Sequence, residues 1–148
     1  MAINRITRED VENFNYYKPG NTLDLYQRIA TKSAIYPGQG TSLGLTYVAL
    51  KMNGEAGEFA EHVGKAMRDD GFLNIVVGKE NYPVIYDHDR LTASRKLLLI
   101  KEIGDVLWYL SAACNELGIS LSEAATVNLE KLCDRSEREA LQGSGDNR

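Results

Sequence analysis

The chain has little cysteine, and it lacks both a long basic run and a long hydrophobic run. Its two cysteines, Cys114 and Cys133, stand within helical patterns without a paired metal-ligand spacing. This predicts reduced, buried thiols in a cytoplasmic protein, with a disulfide between them as the alternative. No stretch approaches the roughly 18 apolar residues of a membrane span, and residues 1–6 lack the apolar run of a signal peptide. Neither export nor a membrane partner is expected.

The charge balance is slightly acidic. Lysine and arginine together number 17, aspartate and glutamate 21, and the formal net charge is −4. An acidic chain without a basic run is a poor ligand for a nucleic-acid backbone, so no nucleic-acid partner is expected. A small phosphorylated ligand held through a metal fits this balance better. With 43% hydrophobic residues, the 148-residue chain is predicted to form a single domain over 1–148.

Four runs of apolar residues at helical spacing predict an all-α fold. In the second run, apolar residues recur every three or four positions from Leu45 to Val63. Gly118 and the capping box from Ser120 to Glu123 separate the third run from the fourth. The predicted helices cover residues 22–34, 42–70, 91–117 and 121–139. We expect a four-helix-bundle-like arrangement in which the two long helices carry the acidic residues.

Three segments lie outside these helices: an N-terminal segment at 1–21, an insert at 72–90 and a polar tail at 142–148. Two short β-favouring runs in the insert predict an inserted loop or a small hairpin that can act as a lid. The glycine-containing tail is expected to be flexible and to close over a ligand, which would bring the guanidinium of Arg148 to a phosphate.

Glycines interrupt the middle of the second predicted helix. Gly54, Gly57 and Gly64 each lower helix stability relative to alanine. A close helix contact or a ligand is therefore expected beside them.

Two pairs of acidic residues carry the strongest functional signal. Glu55 and Glu58 stand three residues apart, as do Glu102 and Asp105 in an almost wholly apolar helix. Residues at this spacing are neighbours on one helical face. An unpaired acid in an apolar environment costs several kcal/mol, on the order of that for any buried ion, so a compensating cation is expected. Carboxylate oxygens favour Mg²⁺, with Mn²⁺ as a substitute.

Two other interpretations of the acids compete with a magnesium site. Isolated Glu-x-x-Glu pairs are usually solvated helix charges, and a di-iron site is the metal alternative. A di-iron bundle expects Glu-x-x-His pairs, whereas His62 lies four residues from Glu58 and His88 lies in the insert. Both histidines are interpreted as polar surface residues.

Four motifs follow one another along the chain: Gly54 to Glu61, Lys101 to Leu110, Asn128 to Leu132 with Arg135, and Gly145 to Arg148. This ordered set resembles the MazG-like all-α nucleoside triphosphate pyrophosphohydrolases, a superfamily related to the dimeric dUTPases. The resemblance implies that Glu55, Glu58, Glu102 and Asp105 bind Mg²⁺. It also implies that a metal-activated water cleaves a nucleoside triphosphate at the α-phosphorus, which gives a monophosphate and pyrophosphate and serves control of the nucleotide pool.

The resemblance also suggests residues for the phosphates and for proton transfer. Asn128 and Lys131 are implied to contact the triphosphate, with Arg135 on the same face and Lys65 as a further candidate. Many relatives have a glutamate where this chain has Gly54, so the general base stays open between Glu58, Glu61 and a metal-activated water. The three aromatic candidates for base stacking, for which core packing is the alternative, are Tyr47, Trp108 and Tyr109.

The chain is expected to form a homodimer or homotetramer, because a helix pair as apolar as the predicted one needs a further surface to cover it.

The alternative function is a non-catalytic nucleotide-sensing or protein-interaction module on the same bundle. The preferred base is open, with a slight lean to purine deoxynucleotides.

Overall fold

A computed structural model describes residues 7–9, 12, 22–70, 72 and 91–138. Within these ranges the chain is all-α, as predicted. Most of the predicted insert and all of the predicted tail, including His88 and Arg148, lie outside the described residues, and the roles expected of them stay predictions. The elements are α1 (Thr22–Ala30), a 3-10 turn (Thr31–Ser33), α2 (Ser42–Asp69), α3 (Ala93–Leu117) and α4 (Leu121–Glu137).

Local capping explains why the helices begin and end where they do. The Thr41 hydroxyl accepts from the Leu43 amide at the start of α2, and the Ser120 hydroxyl accepts from the Glu123 amide at the start of α4. Gly118 ends α3 with a φ of 69°, a left-handed conformation that favours glycine. The predicted boundaries of α2, α3 and α4 are accurate to within about two residues because these caps are local. The predicted end of the first helix at residue 34 is wrong, because α1 ends at Ala30 and continues only as the 3-10 turn Thr31–Ser33.

The two long helices pack against each other along their lengths and run antiparallel. At one end, Arg95 at the start of α3 donates from Nε to Asp70 Oδ2, just after α2, over 2.8 Å. At the other end, Glu116 near the end of α3 accepts from the backbone amide of Gly40, just before α2, at 2.9 Å. These contacts fix the register in which the acidic pairs of α2 and α3 face one another.

Helices α1 and α4 brace one end of this pair. The Gln27 side chain on α1 accepts from the Leu121 amide at 2.6 Å and donates to Asn115 Oδ1 at 2.7 Å. Asp24 accepts from both the amide and the hydroxyl of Ser122. Gln27 and Asp24 therefore tie the start of α4 to α1 and to the end of α3.

Both cysteines are free and buried, which confirms the prediction of reduced thiols. Cys133 on α4 is fully buried, and Cys114 lies among the buried residues of α3. Burial raises the pKa of each thiol, which keeps both in the unreactive protonated form.

Within the described residues, an apolar face of the α2–α3 pair is left uncovered. A groove of about 350 Å³ runs between the two helices. Large apolar side chains near it are exposed, among them Ile100 at 62% and Ile103 at 55%. The groove is lined by Ala56, Phe59, Ile103, Val106, Leu107 and Leu110.

None of the helices in the described ranges is long and apolar enough to cross a membrane.

Close helix contact, one of the two reasons expected for the α2 glycines, is wrong for the described part of the chain, and the other reason, a ligand beside them, stays a prediction. A Cβ atom built on Gly54, Gly57 or Gly64 would meet no atom within 4 Å. These positions face open space because the packed side of α2 carries larger residues such as Val48 and Ala66, which are fully buried.

Candidate metal centre

Three carboxylates from two helices converge at the middle of the α2–α3 pair. Glu55 from α2 and Glu102 and Asp105 from α3 each offer an oxygen, and these oxygens lie within 4.8 Å of one another. Glu102 is the most buried of the three, with 8% of its surface exposed, whereas Asp105 is exposed. The cluster therefore has one side in the helix interface and one side open to a ligand.

The predicted fourth acid, Glu58, is not part of this cluster. Its side chain is exposed, one helical turn beyond Glu55. The role of Glu58 as a metal ligand stays a prediction, which rests on its three-residue spacing from Glu55. Which carboxylates meet α3 depends on how the two helices are rotated, and that rotation brings Glu55 inward first.

Glu61, the other candidate base, forms an ion pair with Lys65 at the protein surface. Lys65 Nζ lies 2.6 Å from Glu61 Oε1, one turn along α2. The hydrogen bond from Lys65 holds the pKa of Glu61 below its ordinary value. A carboxylate with a lowered pKa is a weaker proton acceptor, and Lys65 is occupied by the same pair.

Two basic side chains of α2 lie beside the cluster. Lys51 Nζ is 3.5 Å from Glu55 Oε1, on the turn before Glu55. His62 Nε2 is 3.5 Å from Glu102 Oε1, in the helix interface. The pKa of Lys51 is raised, first by Tyr109 and then by Glu55. Lys51 therefore supplies part of the compensating charge expected for the acids.

Neither basic neighbour was identified as a site residue from the sequence. His62 was expected at the surface, but its side chain is only 19% exposed. The available signal was spacing alone: Lys51 and His62 stand four residues before and seven residues after Glu55, which places all three on one side of a helix.

Aromatic side chains line the open side of the acids. A pocket of about 380 Å³ is bounded by Glu55, Asp105, Trp108 and Tyr109. The Trp108 ring meets Tyr109 edge to face at 4.8 Å between ring centroids. The indole N–H of Trp108 donates to the backbone carbonyl of Ala30 at 3.0 Å, which fixes the ring against the end of α1. The pocket combines negative charge with rigid aromatic walls.

Tyr47, the third aromatic candidate, belongs to a neighbouring stack. Its ring lies parallel to Tyr36, with 5.8 Å between centroids and 9° between planes. Tyr36 in turn donates from its hydroxyl to Glu116 Oε1 at 2.5 Å. Tyr47 is half-buried and is not one of the residues that line the pocket, and its expected role in base stacking stays a prediction.

The phosphate-binding candidates on α4 lie apart from the acid pocket. Asn128 and Lys131 are exposed on α4, and neither lines the pocket. Arg135 is 92% buried, since 8% of its surface is exposed. Helix α4 packs on α1 and α3 and not on α2 across the described residues. The predicted contacts of Asn128, Lys131 and Arg135 with phosphate stay predictions.

Oxygen-only donors fit a hard divalent cation. Three carboxylates can supply three of the roughly six oxygen ligands that Mg²⁺ or Mn²⁺ takes, leaving positions for water and phosphate. Without a cation, three like charges share one side of the helix interface, which is unfavourable. The donor set therefore fits Mg²⁺ and Mn²⁺ alike, the two cations expected from the sequence.

Comparison with known proteins agrees with this architecture. Residues 45–139 match the MazG nucleotide pyrophosphohydrolase domain, a range that contains the whole acid cluster. The chain is 42% identical over 130 residues to the Gene 37 protein of Mycobacterium phage L5, covering 85% of this chain and 98% of the phage protein. No solved structure is a significant match. The chain therefore belongs to the MazG nucleotide pyrophosphohydrolase family.

Proposed function

We propose that this protein hydrolyses a nucleoside triphosphate to a nucleoside monophosphate and pyrophosphate in a reaction that requires Mg²⁺. The observation that carries the proposal is the convergence of Glu55, Glu102 and Asp105 within 4.8 Å in a member of the MazG family. A triphosphate carries several negative charges, so an acidic site can bind it only through a cation. The control of the cellular nucleotide pool is the role such an activity would serve.

The three clustered carboxylates would hold the cation, with Glu102 anchored in the helix interface and Asp105 at the open side. When bound, a divalent cation neutralises phosphate charge and lowers the pKa of a coordinated water. The aromatic walls formed by Trp108 and Tyr109 exclude bulk water from one side of the pocket. Attack by water on the α-phosphorus requires pyrophosphate to leave on the opposite side.

Glu58 is the better of the two candidate bases. It lies one turn beyond Glu55 on the exposed edge of α2, where it can either join the cation ligands or take the proton of the attacking water. Glu61 is tied to Lys65 and has a lowered pKa. Lys51, 3.5 Å from Glu55, is a further positive charge at the pocket that can turn to a phosphate oxygen once a cation takes over Glu55.

The decisive experiment identifies the products and the bond that is cleaved. Purified protein is incubated with ordinary and modified ribo- and deoxynucleoside triphosphates and Mg²⁺ in ¹⁸O-labelled water. The proposal expects a monophosphate that contains ¹⁸O, together with unlabelled pyrophosphate. Diphosphate and inorganic phosphate as products would contradict it. Omission of Mg²⁺ with added EDTA and the Glu102→Gln variant are the controls, and both should abolish turnover.

The same panel tests the non-catalytic alternative. A nucleotide-sensing module would bind a triphosphate with Mg²⁺, measurable by calorimetry, and release no pyrophosphate over the full panel. Binding without turnover would therefore indicate a nucleotide sensor and contradict the proposed enzymatic activity.

We further propose that a second copy of the chain covers the apolar groove, giving a homodimer or a dimer of dimers. Ile100 and Ile103 are more than half exposed beside a 350 Å³ apolar groove, and contiguous exposed apolar side chains mark interaction surfaces in soluble proteins. Light scattering after gel filtration should give at least twice the 16.5 kDa chain mass. Ile103→Glu should give a monomer, whereas Val127→Glu, at a similarly exposed position on α4, should leave the mass unchanged. A monomeric wild-type protein at micromolar concentration would refute this assembly.

A further inference from the structure

His62 occupies an unusual position for a histidine. It lies on α2 in the interface with α3, with 19% of its side chain exposed, and Nε2 is 3.5 Å from Glu102 Oε1. That distance is long for a hydrogen bond, and a small rotation of either side chain would close it. The cluster of potential metal ligands contains Glu55, Glu102 and Asp105 but not His62. We therefore treat His62 as a neighbour of the proposed metal ligand Glu102 and not as a metal ligand itself.

The other ring nitrogen gives a second, independent observation. Nδ1 of His62 is buried and has no hydrogen-bond partner among the described residues. A buried polar atom without a partner costs free energy, so an apolar side chain of similar size would pack here at lower cost. Packing alone therefore does not account for a histidine at this position, and the polar function of the ring must come from Nε2.

We propose that His62 is a positioning residue for the carboxylate of Glu102. With the proton on Nε2, the ring donates to Oε1 of Glu102 and orients that carboxylate, which leaves its second oxygen for a divalent cation. Glu102 is the member of the cluster that is buried in the helix interface, where few water molecules can take over this task. The inference rests on the proposed metal-binding role of Glu55, Glu102 and Asp105.

The test compares two substitutions that differ in the N–H donor. His62→Gln places an amide N–H near the position of Nε2, and His62→Leu fills a similar volume without a donor. Mn²⁺ serves as the probe, with affinity measured by calorimetry and by electron paramagnetic resonance on the full-length protein. Loss of a group that orients a metal ligand typically weakens metal affinity by about 10–100-fold. We expect that loss for His62→Leu, and we expect His62→Gln to stay within about threefold of wild type.

Stability in EDTA separates positioning from packing. Because the leucine removes an unpaired buried nitrogen, His62→Leu should unfold at the same temperature as wild type or higher when no metal is present. His62→Ala provides a second donor-free variant, for which the same loss of Mn²⁺ affinity is expected. Wild-type Mn²⁺ affinity in both donor-free variants would overturn the proposal, as would equal losses in the glutamine and leucine variants. Failure of the wild-type protein to bind Mn²⁺ would instead refute the metal centre itself.

Discussion

Neutralising Glu102 should stabilise the protein without metal and destabilise it with metal. The Glu102→Gln change keeps the shape of the side chain and removes one of three charges that lie within 4.8 Å of one another. Two unit charges at 4.8 Å repel by about 3.5 kcal/mol at an effective dielectric constant of about 20, and by about 0.9 kcal/mol in water. Because Asp105 is exposed and Glu102 is buried, the expected gain in unfolding free energy lies between these limits, at about 1–2 kcal/mol.

The effect of a cation should have the opposite sign. A cation at 100 times its dissociation constant stabilises the folded state by about 2.7 kcal/mol, and the variant should lose most of this. The stability order of wild type and Glu102→Gln is therefore expected to reverse between EDTA and excess Mg²⁺. At this chain length, 1 kcal/mol corresponds to roughly 3–5 °C in Tm, which calorimetry measures readily.

The control is Glu130→Gln, which removes one exposed charge from α4 and leaves the cluster intact. It should shift Tm little and retain the full stabilisation by Mg²⁺. If Glu102→Gln were less stable than wild type in EDTA, or if it were stabilised by Mg²⁺ as strongly as wild type, the assignment of the cluster as a metal centre would be refuted.

Three further changes test the fold that holds the site. Tyr36→Phe removes the hydroxyl that donates to Glu116 and should lower the unfolding free energy by about 1–2 kcal/mol at pH 7. Burial, and then this hydrogen bond, raise the pKa of Tyr36 to about 12 in the folded protein. The difference in unfolding free energy between wild type and Tyr36→Phe should therefore shrink between pH 10 and 12, and a difference that does not change with pH would contradict the role of the hydroxyl. Asp70→Asn should lower Tm at pH 7, because the hydrogen bond from Arg95 holds the pKa of Asp70 below its ordinary value. The hydrogen bond stabilises the folded protein above about pH 4, the ordinary pKa of an aspartate, and this stabilisation is lost as the pH falls through the lower pKa of folded Asp70. The Tm values of the variant and the wild type should therefore converge as the pH falls below about 4, and a constant difference would contradict the assignment. Gly118→Ala should lower the free energy of unfolding by about 1–2 kcal/mol, measured by denaturant titration, because alanine is strained at a φ of 69°. An unchanged free energy of unfolding would show that the turn relaxes to another conformation.

The sequence by itself determined the local features of this protein. Thr41, Ser120 and Gly118 define helix ends through contacts with backbone groups a few residues away, so their roles can be predicted from neighbouring residues. The three-residue spacing of Glu102 and Asp105 likewise places both carboxylates on one side of a single helix, and both belong to the observed cluster. Such relations depend only on helical geometry.

Only the tertiary structure decided which residues meet across α2 and α3. Glu55 reaches the cluster and Glu58 does not, because the rotation of α2 against α3 is set by packing along the whole interface. The same rotation brings His62 to Glu102 and turns Gly57 toward open space. The contact partners within the site are separated by 40 or more residues in the chain, as between His62 and Glu102, so no local pattern specifies them. Side-chain packing between two helices selects one rotation out of several that the same spacing allows.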